Sequence, residues 1–378
     1  MSAPRRVALV VRAARGGMMR HVLDLAEYLP AAGWQPVAVI APPDPLIERE
    51  LRELGVPFLA VPMADRVDAV ADARSVRAIR ARIASLAPDL VHVHSNKAAA
   101  LTTRALRGLP SPPPAVFTAH NVPSFETAPF LARAVGRAAL RSVGRRVSRT
   151  IAVSGYLRDR LVAAGLDATR IDVVRNGVDV GAIARRVACA SGPGRAPDAP
   201  PATIGTMGRL IRDKGVGTLL RAIKALSDEG RDVQCVVIGD GPDEARLRAL
   251  ADELGIGERV DFVGYAEDPY PLVAGFDICA LPTRLEAFGL SALECMAAGV
   301  PVVASNVGGL AEIITHGVDG FLVPPGDPGV LAAALARLLA DPALRTRLAV
   351  EAARTAARFS VEAMVAGTVA VYEAALGA

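Results

Sequence analysis

The sequence predicts an α/β protein made of two doubly wound parallel sheets facing across a cleft. Length, strand patterning and a single unpatterned break carry that expectation. At 378 residues the chain exceeds the roughly 100–200 residues of a usual domain, so two domains are the default. Short, continuously apolar segments alternate with amphipathic stretches, the pattern of strands covered on both faces by helices. The alternation stops in ASGPGRAPDAPP, residues 190–201, where no period survives, and then restarts.

Before the break, VALVV from Val7 reads as the first strand. It opens like a signal peptide, but its apolar segment is too short and Arg12 and Arg15 end it. MMRHVLDLAEYLPAAG is the first helical stretch, followed by PVAVIAP, PLIERELRELG, FLAVP, SVRAIRARIASLAP, DLVHVH, KAAALTTRALRG and AVFTAH in strict alternation. A helix is predicted from Phe130 to Ser148, then the strand TIAVS, a helix to Gly165, and RIDVVRNGVD. After the break come ATIGTMG, GVGTLLRAIKALSDEG, VQCVVIG, EARLRALADELG, VDFVG, FDICALP, an apolar helix within RLEAFGLSALECMAAG, VPVVAS, LAEIITHG and FLVPPG. The Ala-rich end is helical, and Ser360 with Glu362 in the first turn suits the start of a last helix. The expected division is 1–183, a linker over 184–201, 202–358, and a helix over 359–378 crossing back to the N-terminal domain.

Composition narrows the partners. Through Ile183 the chain holds 25 Lys+Arg against 15 Asp+Glu, and the remainder holds 18 against 24. The basic half and the acidic half therefore suit different partners. Few aromatics accompany the arginines, which argues against nucleic acid. Nothing resembles an uninterrupted apolar run of about 18 residues, so no span is expected and the protein reads as cytoplasmic. Cys189, Cys235, Cys279 and Cys295 are too far apart for a metal knuckle and read as reduced thiols. Only Lys97, Lys214 and Lys224 are lysines, so each surviving lysine is of interest.

Chemistry concentrates at strand ends, where ligands bind in open parallel sheets. Gly208-Arg209-Leu210 through Lys214-Gly215 follows the first strand of the second domain. Arg209 and Lys214 there suit a diphosphate, one as a planar fork and the other as a point charge. Gly239-Asp240-Gly241 ends the next strand, VQCVVIG. With Glu244 where a third glycine would stand, it is either a turn that lets a base or ribose approach or a plain strand-to-helix turn. Gly16-Gly17 follows the first strand of the first domain and opens a helix whose amides can approach a phosphate. His120 ends a strand, and His92 and His94 share a strand face. His120 is favoured as functional and His94 stands second; a metal at His92 and His94 is not expected, since no carboxylate accompanies them. Glu286 and Glu294 flank a Phe288-Gly289-Leu290 turn whose amides open the apolar helix to an anion. Two unpaired carboxylates in so apolar a setting are costly, so a ligand role for the pair is favoured.

This ordered set, with the GGLAEII and DGFLVPPGD runs that follow, resembles the retaining GT-B glycosyltransferases of family 4 over nearly the whole chain, most strongly from Gly205 to Asp327. The resemblance implies two Rossmann-like domains, a nucleoside diphosphate sugar as co-substrate, and no metal or other cofactor. It implies that Arg209 and Lys214 neutralise the diphosphate, Glu294 holds the ribose and Glu286 the transferred sugar. It also implies backbone contacts from Gly16, Gly17, Gly289 and Leu290, donor contacts near Gly239, Gly241, Val263 and Phe288, and a contact between His120 and the sugar. A departure stands at Leu285, preceded by Arg284, where the family has a small residue, so this edge of the sugar pocket differs.

The basic first domain is assigned the acceptor, a carbohydrate or lipid-linked molecule. Arg133, Arg137, Arg141 and Arg145 recur every four residues and draw one cationic stripe. With Phe125 and Phe130 before it, the stripe suits either an anionic membrane surface, as on the inner face of the cell membrane, or plain solvation. The expected activity is transfer of a hexose-type sugar to a cell-envelope, polysaccharide or lipid-linked hydroxyl, with retention and without metal. The alternatives are a sugar-nucleotide epimerase of the same fold and a non-catalytic sugar-nucleotide-binding partner of a transferase.

Overall fold

A run such as Val7–Val11 has no polar face to offer solvent, and every one of its side chains is fully buried. The computed structural model describes residues 3–12, 16–64, 68–122, 130–190 and 201–377. In chain order it begins β1 (Arg5–Val11), α1 (Gly17–Tyr28), β2 (Trp34–Ala41), α2 (Pro45–Glu53), β3 (Phe58–Ala60) and α3 (Ala69–Leu86). Then follow β4 (Leu90–His94), α4 (Asn96–Leu106), β5 (Ala115–Ala119), α5 (Phe130–Gly144), β6 (Arg149–Ala152), α6 (Gly155–Ala163) and β7 (Ile171–Val173). After α7 (Val180–Ala190) come β8 (Ala202–Met207), α8 (Val216–Asp228), β9 (Val233–Ile238), α9 (Glu244–Glu253), β10 (Val260–Gly264) and α10 (Tyr270–Val273). The chain continues through β11 (Ile278–Leu281), α11 (Leu290–Ala297), β12 (Val302–Ser305), α12 (Leu310–Ile313) and β13 (Phe321–Val323). It closes with α13 (Pro328–Ala340), α14 (Pro342–Ala356) and α15 (Val361–Leu376).

The chain folds as two units, Met1–Gly177 with Val361–Ala378, and Val178–Ser360. In the first, seven parallel strands run in the order β3-β2-β1-β4-β5-β6-β7. In the second, six parallel strands run β10-β9-β8-β11-β12-β13. Each sheet reverses its direction of growth once, between β1 and β4 and between β8 and β11. Such a reversal leaves a crevice beyond the carboxyl ends of the two central strands, because their connections leave to opposite sides.

The first core gathers Leu9, Leu25, Trp34 and Ile151 with Met364 and Tyr372 of α15. Trp34 and Tyr372 meet edge to face, ring centroids 4.8 Å apart. The second core joins Leu219 and Ile223 of α8 to Cys235, Leu335 and Leu348. Cys235, Cys279 and Cys295 are buried free thiols and Cys189 is exposed.

Three expected boundaries move. The helix predicted to Ser148 stops at Gly144, because Arg149 must enter β6 opposite Val116. Residues 184–190, expected to be linker, continue α7, whose start is held by Asp179 accepting from the Ala182 amide at 2.7 Å. The remainder of that linker, 191–200, lies outside the described residues, as does the loop carrying Phe125. The first unit ends at Gly177 rather than at 183, since α7 packs on α10 and α11.

Candidate functional site

In the second unit the switch point is lined by three short segments. The first leaves β8 through Gly208, passes a single 3-10 turn, Arg212–Lys214, and reaches Gly215 at φ 69°. A Cβ on Gly215 would stand 2.0 Å from the Pro282 carbonyl oxygen, so only glycine lets this turn close onto the segment leaving β11. The Thr283 hydroxyl and the Arg284 amide both donate to the Asp213 carbonyl, at 2.8 and 2.7 Å. These bonds fix the Lys214 turn against the loop that carries Glu286. The side chains meet there: Lys214 Nζ donates to Glu286 Oε2 at 2.6 Å, both partly buried.

The third segment is the start of α11. Gly289 adopts φ 116°, and no side chain caps the helix. Its first amides are therefore left for an acceptor brought from outside, at the positive end of the helix dipole. A pocket there is lined by Gly208, Lys214, Thr283, Glu286, Gly289 and Ser291 among others. One cation, one carboxylate and an uncapped helix start thus share one cavity, an arrangement that suits an anion carrying a hydroxylated group.

Other residues expected in this site stand around it differently. Arg209 is exposed and lies outside the pocket lining. Glu294, one turn into α11, is half-buried and accepts a hydrogen bond from the Tyr270 hydroxyl at 3.3 Å. Leu290 is half-buried and Val263 is 37% exposed. The Phe288 ring turns into the core, 6.0 Å from that of Phe359. Gly239 and Gly241 have a packing reason to be glycine. Added Cβ atoms would lie 2.0 Å from the Gly208 carbonyl and 2.3 Å from that of Leu210. Arg284 is exposed and Leu285 half-buried at the departure noted above.

In the first unit, Gly16 (φ 117°) leads into α1, which also lacks a side-chain cap. Beside it, at the carboxyl ends of β4 and β5, four histidines crowd together. His92 is a satisfied core residue: its Nδ1 lies 2.6 Å from the Tyr372 hydroxyl and its Nε2 2.6 Å from that of Thr118. His94 Nδ1 and His120 Nε2 are 3.0 Å apart. His21 of α1 completes the group, its ring centroid 4.7 Å from that of His120. Burial holds His92, His94 and His120 well below the ordinary imidazole range, and neighbouring imidazoles add to the effect. His21 is pushed down to about 4 by burial, opposed in part by Asn176. Sequence reasoning passed over His21, although Gly17 to His21 is one helical turn and would have placed it over the strand ends.

On α5, Arg133, Arg137 and Arg141 are exposed and, with Ala134, line a surface depression. Arg141 Nε also donates to the Ala164 carbonyl at 3.0 Å. Arg145 lies past the helix end. Among the described residues no helix is long and apolar enough to cross a membrane.

The model of the family described as Glycosyltransferase Family 4 matches residues 15–182, and that described as Glycosyl transferases group 1 matches 195–355. A phosphatidyl-myo-inositol mannosyltransferase of Mycobacterium leprae is 31% identical over 372 residues, 95% of this chain and 93% of the relative. A D-inositol 3-phosphate glycosyltransferase of Salinispora arenicola is 34% identical over 294 residues, 70% of this chain and 64% of the relative. Among solved structures, Anabaena HepE in complex with UDP and glucose superposes with a TM-score of 0.82 at 23% identity, over 97% of this chain and 99% of that one.

Proposed function

The chain belongs to glycosyltransferase family 4 and is a glycosyltransferase of the GT-B fold, and from that premise we propose that it moves a hexose-type sugar from a nucleoside diphosphate sugar to a hydroxyl of a cell-envelope, polysaccharide or lipid-linked acceptor. The observation that carries the reading is the pocket shared by Lys214, Glu286 and the uncapped start of α11. A diphosphate accepts from Lys214 and from the Gly289 and Leu290 amides, while the sugar hydroxyls donate to Glu286. Arg209 adds a second cation to the diphosphate, and Glu294 accepts from the ribose hydroxyls. The same reading gives Gly17 a phosphate contact and His120 a contact with the transferred sugar.

As the anomeric carbon loses its bond to phosphate, negative charge collects on the departing diphosphate. A cation and helix amides already aimed there lower the barrier without reorganising. The new bond forms on the same face: the acceptor oxygen attacks the anomeric carbon, and its proton passes to the leaving phosphate oxygen. No metal is required for that charge balance, so transfer should persist in excess EDTA. The anomeric configuration of the product, read by proton NMR from a donor of known configuration, tests the reading, and inversion would overturn the same-face step.

The named relatives act on inositol phosphates and an inositol phospholipid, and the basic half with its arginine stripe suits such anionic acceptors. An acceptor panel should therefore include a free inositol phosphate and phosphatidylinositol vesicles.

A further inference from the structure

His92 has its hydrogen bonds, whereas its three neighbours form a group with unused capacity. Neither nitrogen of His21, which lies beside the buried Asn176 amide, makes a well-formed hydrogen bond among the described residues, and His94 Nε2 is likewise buried without one. One nitrogen from each of His21, His94 and His120 can be chosen so that all lie within 4.8 Å of one another. The rings stand at steep mutual angles, His21 to His94 at 62° and His21 to His120 at 76°. Leaving a buried polar atom unpaired is costly, and several in one place mark a site that something should fill.

We propose that His21, His94 and His120 form a three-imidazole binding site for a divalent transition-metal ion, with zinc the best match. Imidazole ligands without carboxylates suit zinc, copper, nickel or iron and disfavour magnesium and calcium. Zinc bonds of about 2.0–2.1 Å place tetrahedral ligands roughly 3.3 Å apart. His94 Nδ1 and His120 Nε2, which the ion would take in place of their mutual hydrogen bond, are 3.0 Å apart, already close to that. The three nitrogens lie within 4.8 Å of one another, so His21 must draw closer on binding. A fourth position is left to water or an added ligand. The same nitrogens would also suit a buried water, and the test separates the two.

The consequence for transfer rests on the role proposed above for His120: a metal held by His120 and a sugar touching it exclude each other, so the loaded protein is silenced. The full chain, stripped with a chelator and dialysed, is titrated with Co2+. Binding at three imidazoles gives intense visible d–d bands at about one equivalent, and zinc bleaches them. His21→Asn and His94→Gln each weaken the bands' apparent affinity at least ~tenfold, while His316→Asn, in the second unit, leaves it unchanged. Should the variants not fold, cobalt-edge X-ray absorption of the unaltered protein counts the imidazoles directly. Absent bands, or bands indifferent to His21, overturn the site and leave a buried water as the occupant. Zinc that binds by this assay yet leaves transfer unaffected would instead overturn the role of His120, with the metal site standing.

Discussion

Lys214 sits 2.6 Å from Glu286, so an arriving diphosphate must share a cation that is already held in place. Replacing it, Lys214→Ala, removes the only side-chain cation of the pocket lining. The turnover number should fall about 10²–10³-fold, the usual cost of losing one aimed positive partner. Turnover within a few-fold of the parent would sink the assignment. Gly215→Ala tests how the lysine is positioned. A methyl group there meets the Pro282 carbonyl at a φ of 69°, so a lower melting temperature and lost donor affinity are expected together. Lysine scarcity marks Lys214 in the sequence, and the start of an apolar helix between two glutamates marks the turn at Gly289. The carbonyl of Pro282 against Gly215 was invisible, because a close approach between distant segments leaves no periodic mark. Phe288 shows the opposite case: its place beside the glutamates suggested a donor contact, but its ring completes the core.

At the scale of elements, α15 closes the first unit by setting Tyr372 against His92. Tyr372→Phe keeps the ring packing and deletes one hydroxyl, leaving a buried nitrogen unsatisfied at about 1–3 kcal/mol. For a unit of this size that is roughly 2–4 °C of melting temperature per kcal/mol, measurable by calorimetry; an unchanged melt would show that His92 finds another partner. The stripe on α5 carries a separate expectation. Each basic residue near an anionic bilayer contributes about 1 kcal/mol, so reversing Arg133 and Arg137 to Glu should abolish co-sedimentation with phosphatidylglycerol vesicles. Equal sedimentation of the parent and the variant would mean that these arginines merely face water. The alternation of strands and helices was plain in the sequence because parallel strands are apolar throughout. Helix ends were less so: α5 gives up its last turn to let β6 begin, a tertiary demand that a four-residue arginine spacing cannot register.

Over the whole molecule, the buried histidines set the response to acid. His21 is at about 4 when folded and near 6.5 when unfolded. Between those values the unfolded chain binds the extra proton, so stability rises with pH. The contribution is fully present above about pH 6.5 and is lost as pH falls toward about 4, on the order of 3 kcal/mol for this group alone. His92, His94 and His120 shift in the same direction and should steepen the loss. Urea unfolding across that range, followed in the parent and in His21→Asn, should show the shallower slope in the variant. The two-unit architecture and the switch points were legible from the order of segments. The histidine cluster was not, because its members come from α1, β4 and the end of β5, and only the strand order β1-β4-β5 makes them neighbours.

That α15 belongs with a unit the chain left at Gly177, the whole second unit intervening, also bears on how the protein is made. The second unit is one continuous segment and can fold as soon as it leaves the ribosome. The first has to wait, its Trp34 and His92 uncovered, until the second has been synthesised in full. Nascent chains arrested just before Val361 should therefore hold a protease-resistant second unit and a first unit that recruits chaperones, and release of one further helix should end that recruitment.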